Sequence, residues 1–263
     1  MKKVMRLCGF AVLAALTFAS CKKNTDATAT VEDPLAGAKA TIKAQGFDVS
    51  DLKKVEGGYL VEGDIFYSEE NLLTGPQNSM VPAAEQYRTF NLVSIPRTIT
   101  IRLASNLNTT FWNTVLQGAV DRYNALGLRL RFSKVATGTA AAITVTGVSG
   151  SGGSAGFPSG GAPYSSISMG TSIANCGTNT ATTVMAHEMG HCIGFRHTDW
   201  FNRAYSCGSG GSEGQQTTGV GAVQIPGTPS TVVAGSWMLA CYSCGGNRPF
   251  VSSDVTALRA LYL

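Results

Sequence analysis

The period of the apolar positions changes twice between residues 99 and 132. Ile99-Thr100-Ile101-Arg102-Leu103 alternates apolar and polar, the period of a strand with one buried face. Across residues 109–126 the apolar positions are 111, 112, 115, 116, 119, 120, 123 and 126, the stripe of a helix that buries one side. Leu128-Arg129-Leu130-Arg131-Phe132 then alternates again. Ala142-Ile143-Thr144-Val145-Thr146 and Ser166-Ile167-Ser168-Met169 predict further strands, and Tyr59-Leu60-Val61-Glu62-Gly63-Asp64-Ile65-Phe66-Tyr67 predicts one upstream. A short amphipathic piece covers residues 36–45. In residues 178–186 Thr and Asn, good N-cap types, lead into thickening apolar positions, as at the entry of a helix. Strand, helix, strands and helix in that order predict an α/β (α+β) fold, a sheet with backing helices. Residues 147–161 and 208–221 are dense in Gly and Ser and read as loops, the first on a cleft rim. The first lacks the lysine and the following helix that a phosphate-binding loop needs.

The predicted second helix carries the chemistry. The chain has three histidines, and His187, His191 and His197 all fall in H-E-M-G-H-C-I-G-F-R-H. Residues four apart on a helix lie on one face, about 6 Å apart at Cβ. His187 and His191 can therefore meet one metal ion at roughly 2.0–2.1 Å. Glu188, one residue along, points near such an ion without having to ligate it, where a general base for a metal-bound water belongs. Gly194 suits the left-handed residue that ends a helix, after which the chain can turn and return His197. Three protein ligands leave a position open for water, the catalytic arrangement, whereas structural zinc sites are closed by four. The expected cofactor is one zinc ion, which would lower the pKa of its water toward about 7.

H-E-x-x-H-x-x-G-x-x-H resembles the zinc signature of the metzincin metallopeptidases. The longer string from His187 to Trp200 resembles the bacterial dual-action HEIGH metallopeptidases, with Met189 where that family has isoleucine. Val61-Glu62-Gly63-Asp64-Ile65 and Ile225-Pro226-Gly227-Thr228-Pro229 extend the likeness to roughly residues 55–245. The resemblance implies a metzincin-like zincin domain with a twisted mixed sheet, a zinc-binding active-site helix and a loop-rich C-terminal subdomain. It implies a methionine turn beneath the metal, for which the candidate is Met238 in Gly235-Ser236-Trp237-Met238-Leu239-Ala240. Some metzincins have a tyrosine two residues after that methionine. Here that residue is Ala240, and Tyr242 lies two further on. Asp199 is the candidate carboxylate for orienting the third-histidine loop. No cysteine lies between Cys21 and Cys176, so a cysteine plug on the zinc from an upstream segment is excluded, while an acidic plug is not visible in sequence.

The N-terminus sets the compartment. Lys2, Lys3 and Arg6 precede an apolar stretch over residues 7–19, too short to span a bilayer and right for a signal peptide. Phe18-Ala19-Ser20-Cys21 resembles a lipobox, whose cysteine would take lipid and anchor the protein to a membrane surface; an ordinary secretory signal is the other reading. Removal of residues 1–21 would take the net charge from +4 to +1, leaving no basic excess to suggest nucleic acid. Five cysteines follow: Cys176, Cys192, Cys207, Cys241 and Cys244. Export permits disulfides. Pairing of Cys207 with Cys241 or Cys244 would close the C-terminal region, and Cys176 with Cys192 would clamp the zinc helix.

The organisation expected is a lipoprotein signal peptide over 1–21, a flexible tether over 22–35, a small pro-like or packing segment over 36–95 and the catalytic domain over 96–263. The expected function is a lipid-anchored or secreted zinc endopeptidase of the bacterial cell envelope, acting on proteins or peptides. Its rivals are a zinc-binding surface lipoprotein without peptidase activity and a zinc hydrolase of another amide, such as one in cell-wall peptides.

Overall fold

The computed structural model describes residues 33–45, 47–69, 72, 86–213, 221–229 and 231–263. The expected signal peptide, its Cys21 and most of the tether lie outside the described residues. Residues 34–263 form one compact unit. Among the described residues no helix is long and apolar enough to cross a membrane.

Helix α1 (Ala36–Ala44) buries Ile42 against Phe47, Leu52, Val61, Ile65 and Tyr67. Strands β1 (Lys53–Val55), β2 (Gly58–Val61) and β3 (Ile65–Ser68) follow as an antiparallel meander. The single strand expected over residues 59–67 is thus a hairpin. Glu62 (φ 57°) and Gly63 (φ 90°) are both left-handed, and the chain reverses there. Alternating apolar residues on both arms hid the turn.

After β4 (Tyr87–Arg88), β5 (Arg97–Leu103) enters the main sheet. Helix α2 (Thr110–Asn124) is capped by Thr109, whose side chain accepts from the Trp112 N–H. It buries Trp112, Val115, Leu116, Ala119, Val120 and Tyr123, the stripe legible in sequence. β6 (Leu130–Lys134), β7 (Ile143–Val148), β8 (Gly153–Ala155) and β9 (Ser166–Gly170) complete an eight-stranded sheet in the order β1-β2-β3-β8-β9-β7-β5-β6. β6, β5, β7 and β9 run parallel, β8 runs antiparallel to β9, and β3 joins β8 in parallel. The stretch 147–161 is therefore not only a loop. Small residues let β8 slip between β3 and β9 with no hydrophobic period to announce it.

Helix α3 (Thr178–Ile193) is preceded by Gly177, which makes no side-chain cap, so the expected Thr or Asn cap is not used. From Thr180 on every residue of it is buried. It lies against α2 and the sheet on one side and the C-terminal segment on the other, which is why it carries no clean polar face. β10 (Phe195–Arg196), α4 (Ala204–Cys207), β11 (Val223–Gln224) and α5 (Ser252–Tyr262) complete the chain, and β10-β4-β11 form a small antiparallel sheet.

Disulfides join Cys176 to Cys244 and Cys207 to Cys241, and Cys192 is free and buried. The Cys176–Cys192 pairing fails because the 16 residues of α3 hold the two apart by about 24 Å of helix. Behind α3, Asp254 gathers four donors: Gln86 Nε2 (2.6 Å), the Ser236 hydroxyl (2.7 Å), and the backbone N–H groups of Val251 (3.0 Å) and Trp237 (3.2 Å). Burial pushes the Asp254 carboxyl up to about 6 against the pull of those donors. Asp254→Ala would strand these donors in the interior and is expected to lower unfolding stability by about 3 kcal/mol, read from urea melts. An unchanged midpoint would show that the segment around Met238 holds itself.

Candidate metal centre

The end of α3 builds the site. His187, Glu188 and His191 project from its last turns. Gly194 (φ 109°, ψ 10°) then turns the chain, and a Cβ there would stand 2.8 Å from Leu92 Cδ2 and 2.9 Å from Asn91 O. β10 pairs with β4 and carries the chain to His197.

Each imidazole is held from behind. His187 Nδ1 donates to Trp237 O (2.9 Å), His191 Nδ1 donates to Phe195 O (2.8 Å), and His197 Nδ1 donates to Glu213 Oε1. A neutral imidazole that donates from Nδ1 offers its Nε2 lone pair to a cation. The Nε2 atoms face one another: His197 Nε2 is 3.2 Å from both His187 Nε2 and His191 Nε2. Nitrogens sharing a tetrahedral zinc at 2.0–2.1 Å stand about 3.3 Å apart. Asp64 Oδ2 lies 3.1 Å from His197 Nε2 and 3.5 Å from His187 Nε2, and the four ligand atoms fall within 4.8 Å of one another. Three imidazoles and a carboxylate converging on one point fit a divalent cation.

The local charge agrees. Burial opposes ionisation of Asp64, yet the imidazoles facing it hold its carboxyl well below the usual range. Burial likewise opposes charge on His197, and the carboxylates of Asp64 and Glu213 on either side push its proton affinity well above the usual value. The centre therefore calls for positive charge. Burial, then the charge of Asp64, raises the Glu188 carboxyl well above the ordinary range. Its Oε2 is buried without a hydrogen-bond partner among the described residues. β8 passes so close that a Cβ on Gly153 would lie within 2.7 Å of three Glu188 atoms.

The other expected residues are placed as follows. Met238 is buried under α3, where a Cβ on Gly190 would stand 2.6 Å from its sulfur, and its carbonyl accepts from Thr198 N at 2.8 Å. Asp199 accepts from Ala240 N (2.9 Å) and from the Ser206 hydroxyl, tying the histidine loop to the segment after Met238. The carboxylate on the His197 ring is that of Glu213. The Tyr242 hydroxyl is hydrogen-bonded to Ser151 Oγ at 2.6 Å, and its ring lines the cleft.

Two residues at the centre escaped the sequence analysis as site residues. Asp64 lay inside a motif matched only as family likeness. Glu213 sits in the Gly/Ser stretch, and the available signal was its isolation: it is the one charged residue between Arg203 and Arg248. Glu213 is fully buried, with Arg196 Nη2 at 3.1 Å and Arg203 Nε at 3.6 Å. Glu62 joins this group, its Oε1 accepting from Asp48 N at 2.8 Å. Glu62, Glu213 and His197 also bring ligand atoms within 4.8 Å, but there Arg196 and Arg203 supply the positive charge.

Over residues 60–262 the chain matches the family described as dual-action HEIGH metallo-peptidase. Solved structures similar to it include myroilysin, at 17% identity over 67% of this chain and 98% of that chain, with a TM-score of 0.46. Another is high choriolytic enzyme 1, a hatching enzyme zinc-protease from the medaka fish Oryzias latipes, at 16% identity over 62% of this chain and 88% of that chain, with a TM-score of 0.39. No curated protein matches the chain.

Glu213→Gln keeps the shape and removes the charge that orients His197. It is expected to weaken zinc affinity about 10- to 100-fold in competition with a chelator, while Asp199→Asn leaves that affinity within a few-fold. Equal effects would assign the orienting role to neither carboxylate.

Proposed function

The chain belongs to the dual-action HEIGH metallopeptidase family, and from that premise we propose that it is a zinc endopeptidase held latent by its own N-terminal segment. It is a metallopeptidase by family. The observation that carries the finer reading is the convergence of three Nε2 atoms with the unpartnered Glu188 Oε2 close by, His187 and Glu188 lining a cavity of about 350 Å³. His187, His191 and His197 would hold the ion. Zinc, when bound, polarises a scissile carbonyl and acidifies a water. Glu188 takes the proton of the attacking water on its carboxylate, holds it in a site where burial favours the protonated form, and releases it to the leaving amine nitrogen. The amide bond breaks as the water oxygen bonds to the carbonyl carbon, so the products are a carboxylate and an amine.

Latency is supported by two contacts of residues 53–68. Asp64 Oδ2 takes the place among the imidazole nitrogens that the reacting water needs. Beside it, Asp64 O accepts from Ala155 N (3.0 Å), so β3 occupies the edge of β8, the strand that passes Glu188. An extended peptide adding to that edge would have to displace it. The pro-like reading of the N-terminal segment rests on these contacts. Export with a lipid on Cys21 belongs to the same proposal, and both disulfides suit an oxidising compartment.

Casein cleavage by purified residues 22–263 tests the chemistry. Glu188→Ala should keep one zinc per chain and lose about 100-fold or more in rate; retained turnover would sink the general-base role. Asp64→Ala should raise the rate of the same chain about tenfold or more. An unchanged or lower rate would remove the latency reading and leave the peptidase reading standing.

A further inference from the structure

The cleft has two ends of different character. Around the metal centre it is lined by Glu62, Asp64, His187, Glu188 and Arg203. Away from it the wall is Thr183 and Val184 of α3, facing Leu239, Tyr242 and Arg248 of the segment after Met238. Thr183 and Val184 lie one helical turn before His187 and Glu188 on α3, so this part of the cleft adjoins the metal centre. A purely apolar floor would select an aliphatic or aromatic side chain. Here Arg248 is among the lining residues.

Arg248 is held in place rather than loose. Its backbone N–H donates to Thr183 Oγ1 (3.0 Å), its carbonyl accepts from Arg122 Nη1 (3.0 Å), and its own Nη1 donates to Cys241 O (2.6 Å). Cys241 is in turn fixed by its disulfide to Cys207. The side chain is half-buried, and no carboxylate lies within ion-pair distance of it among the described residues. Asp199 is near enough to be felt, but its two oxygens are committed to Ala240 N and the Ser206 hydroxyl. Arg203, the other arginine of the cleft, differs: it bonds Glu62 O and faces Glu213. A half-buried guanidinium with N–H groups to spare can receive a carboxylate.

We propose that Arg248 makes this enzyme select substrates with an aspartate or glutamate side chain beside the scissile bond, seated between Thr183, Val184 and Leu239 with its carboxylate on the guanidinium. The proposal rests on the peptidase reading and adds the substrate class to it. It makes Arg248 specificity-determining, without a part in bond breaking.

The test uses the full chain carrying Asp64→Ala, which removes the carboxylate from the centre, and pairs of otherwise uncharged peptides differing only as Asp against Asn, or Glu against Gln, at a single position. In parallel, calorimetry follows binding of the same peptides to the full chain carrying Asp64→Ala and Glu188→Ala. The acidic peptide is expected to be favoured about tenfold or more in kcat/KM and in affinity. Arg248→Gln should erase that ratio, Arg248→Lys should keep part of it, and Arg248→Glu should turn it toward lysine-bearing peptides. The ratio is internal to each variant, so a partly unfolded variant lowers both members and leaves the reading intact. Cleavage without acidic preference, or a preference that survives Arg248→Gln, would overturn the proposal. Absence of cleavage with the binding ratio intact would overturn the peptidase reading and uphold the pocket. Absence of both would overturn both.

Discussion

Three imidazole lone pairs aimed at one point repel one another, and most of the domain serves to keep them there. The constraint is applied from behind, at Nδ1, by Trp237 O, Phe195 O and Glu213. Each acceptor comes from a different part of the chain, so each part must be fixed. Trp237 is held by Asp254 at its backbone, and at its indole by Tyr123 and Ala186 O. Phe195 is placed by the turn at Gly194 and the pairing of β10 with β4. Glu213 is placed by Arg196 and Arg203. The sheet and α2 matter to function because they hold α3 immobile against these three supports.

The supports differ in cost. Backbone carbonyls as acceptors need only a fold that presents them. A buried carboxylate such as Glu213 must be compensated, and it draws in two arginines. Arg196 lies over the rings of Phe47, 4.8 Å from its centroid, and Phe157, at 5.5 Å. His197 is thus tied through Glu213, Arg196 and Arg203 to Phe47 and Glu62 of the N-terminal segment.

Much of this was written in the sequence, for stated reasons. The stripe of α2 and the alternation in β5 and β7 are periodic because each buries one face. The convergence of His187, His191 and His197 was legible because a helix and a glycine-ended turn impose fixed spacing on them. What escaped lacks period or locality. β8 is made of Gly, Ser and Ala and owes its conformation to its two neighbours. The hairpin at Glu62–Gly63 hid within a run that alternates on both sides of its turn. Glu213 reaches His197 across 16 residues, and Asp64 reaches it across 133. No spacing rule connects such pairs; only the folded chain does.

The order of residues along the chain has a temporal meaning. A polypeptide is made and folds from its N-terminus, so Asp64 and the hairpin that carries it exist before α3 does. The support at Trp237 follows later still, and Tyr262, whose hydroxyl donates to Ile193 O at the end of α3, later again. The histidines are therefore never present in a growing chain without the carboxylate that faces them. A metallopeptidase assembled in this order never brings its three imidazoles together before the carboxylate that lies among them has been made.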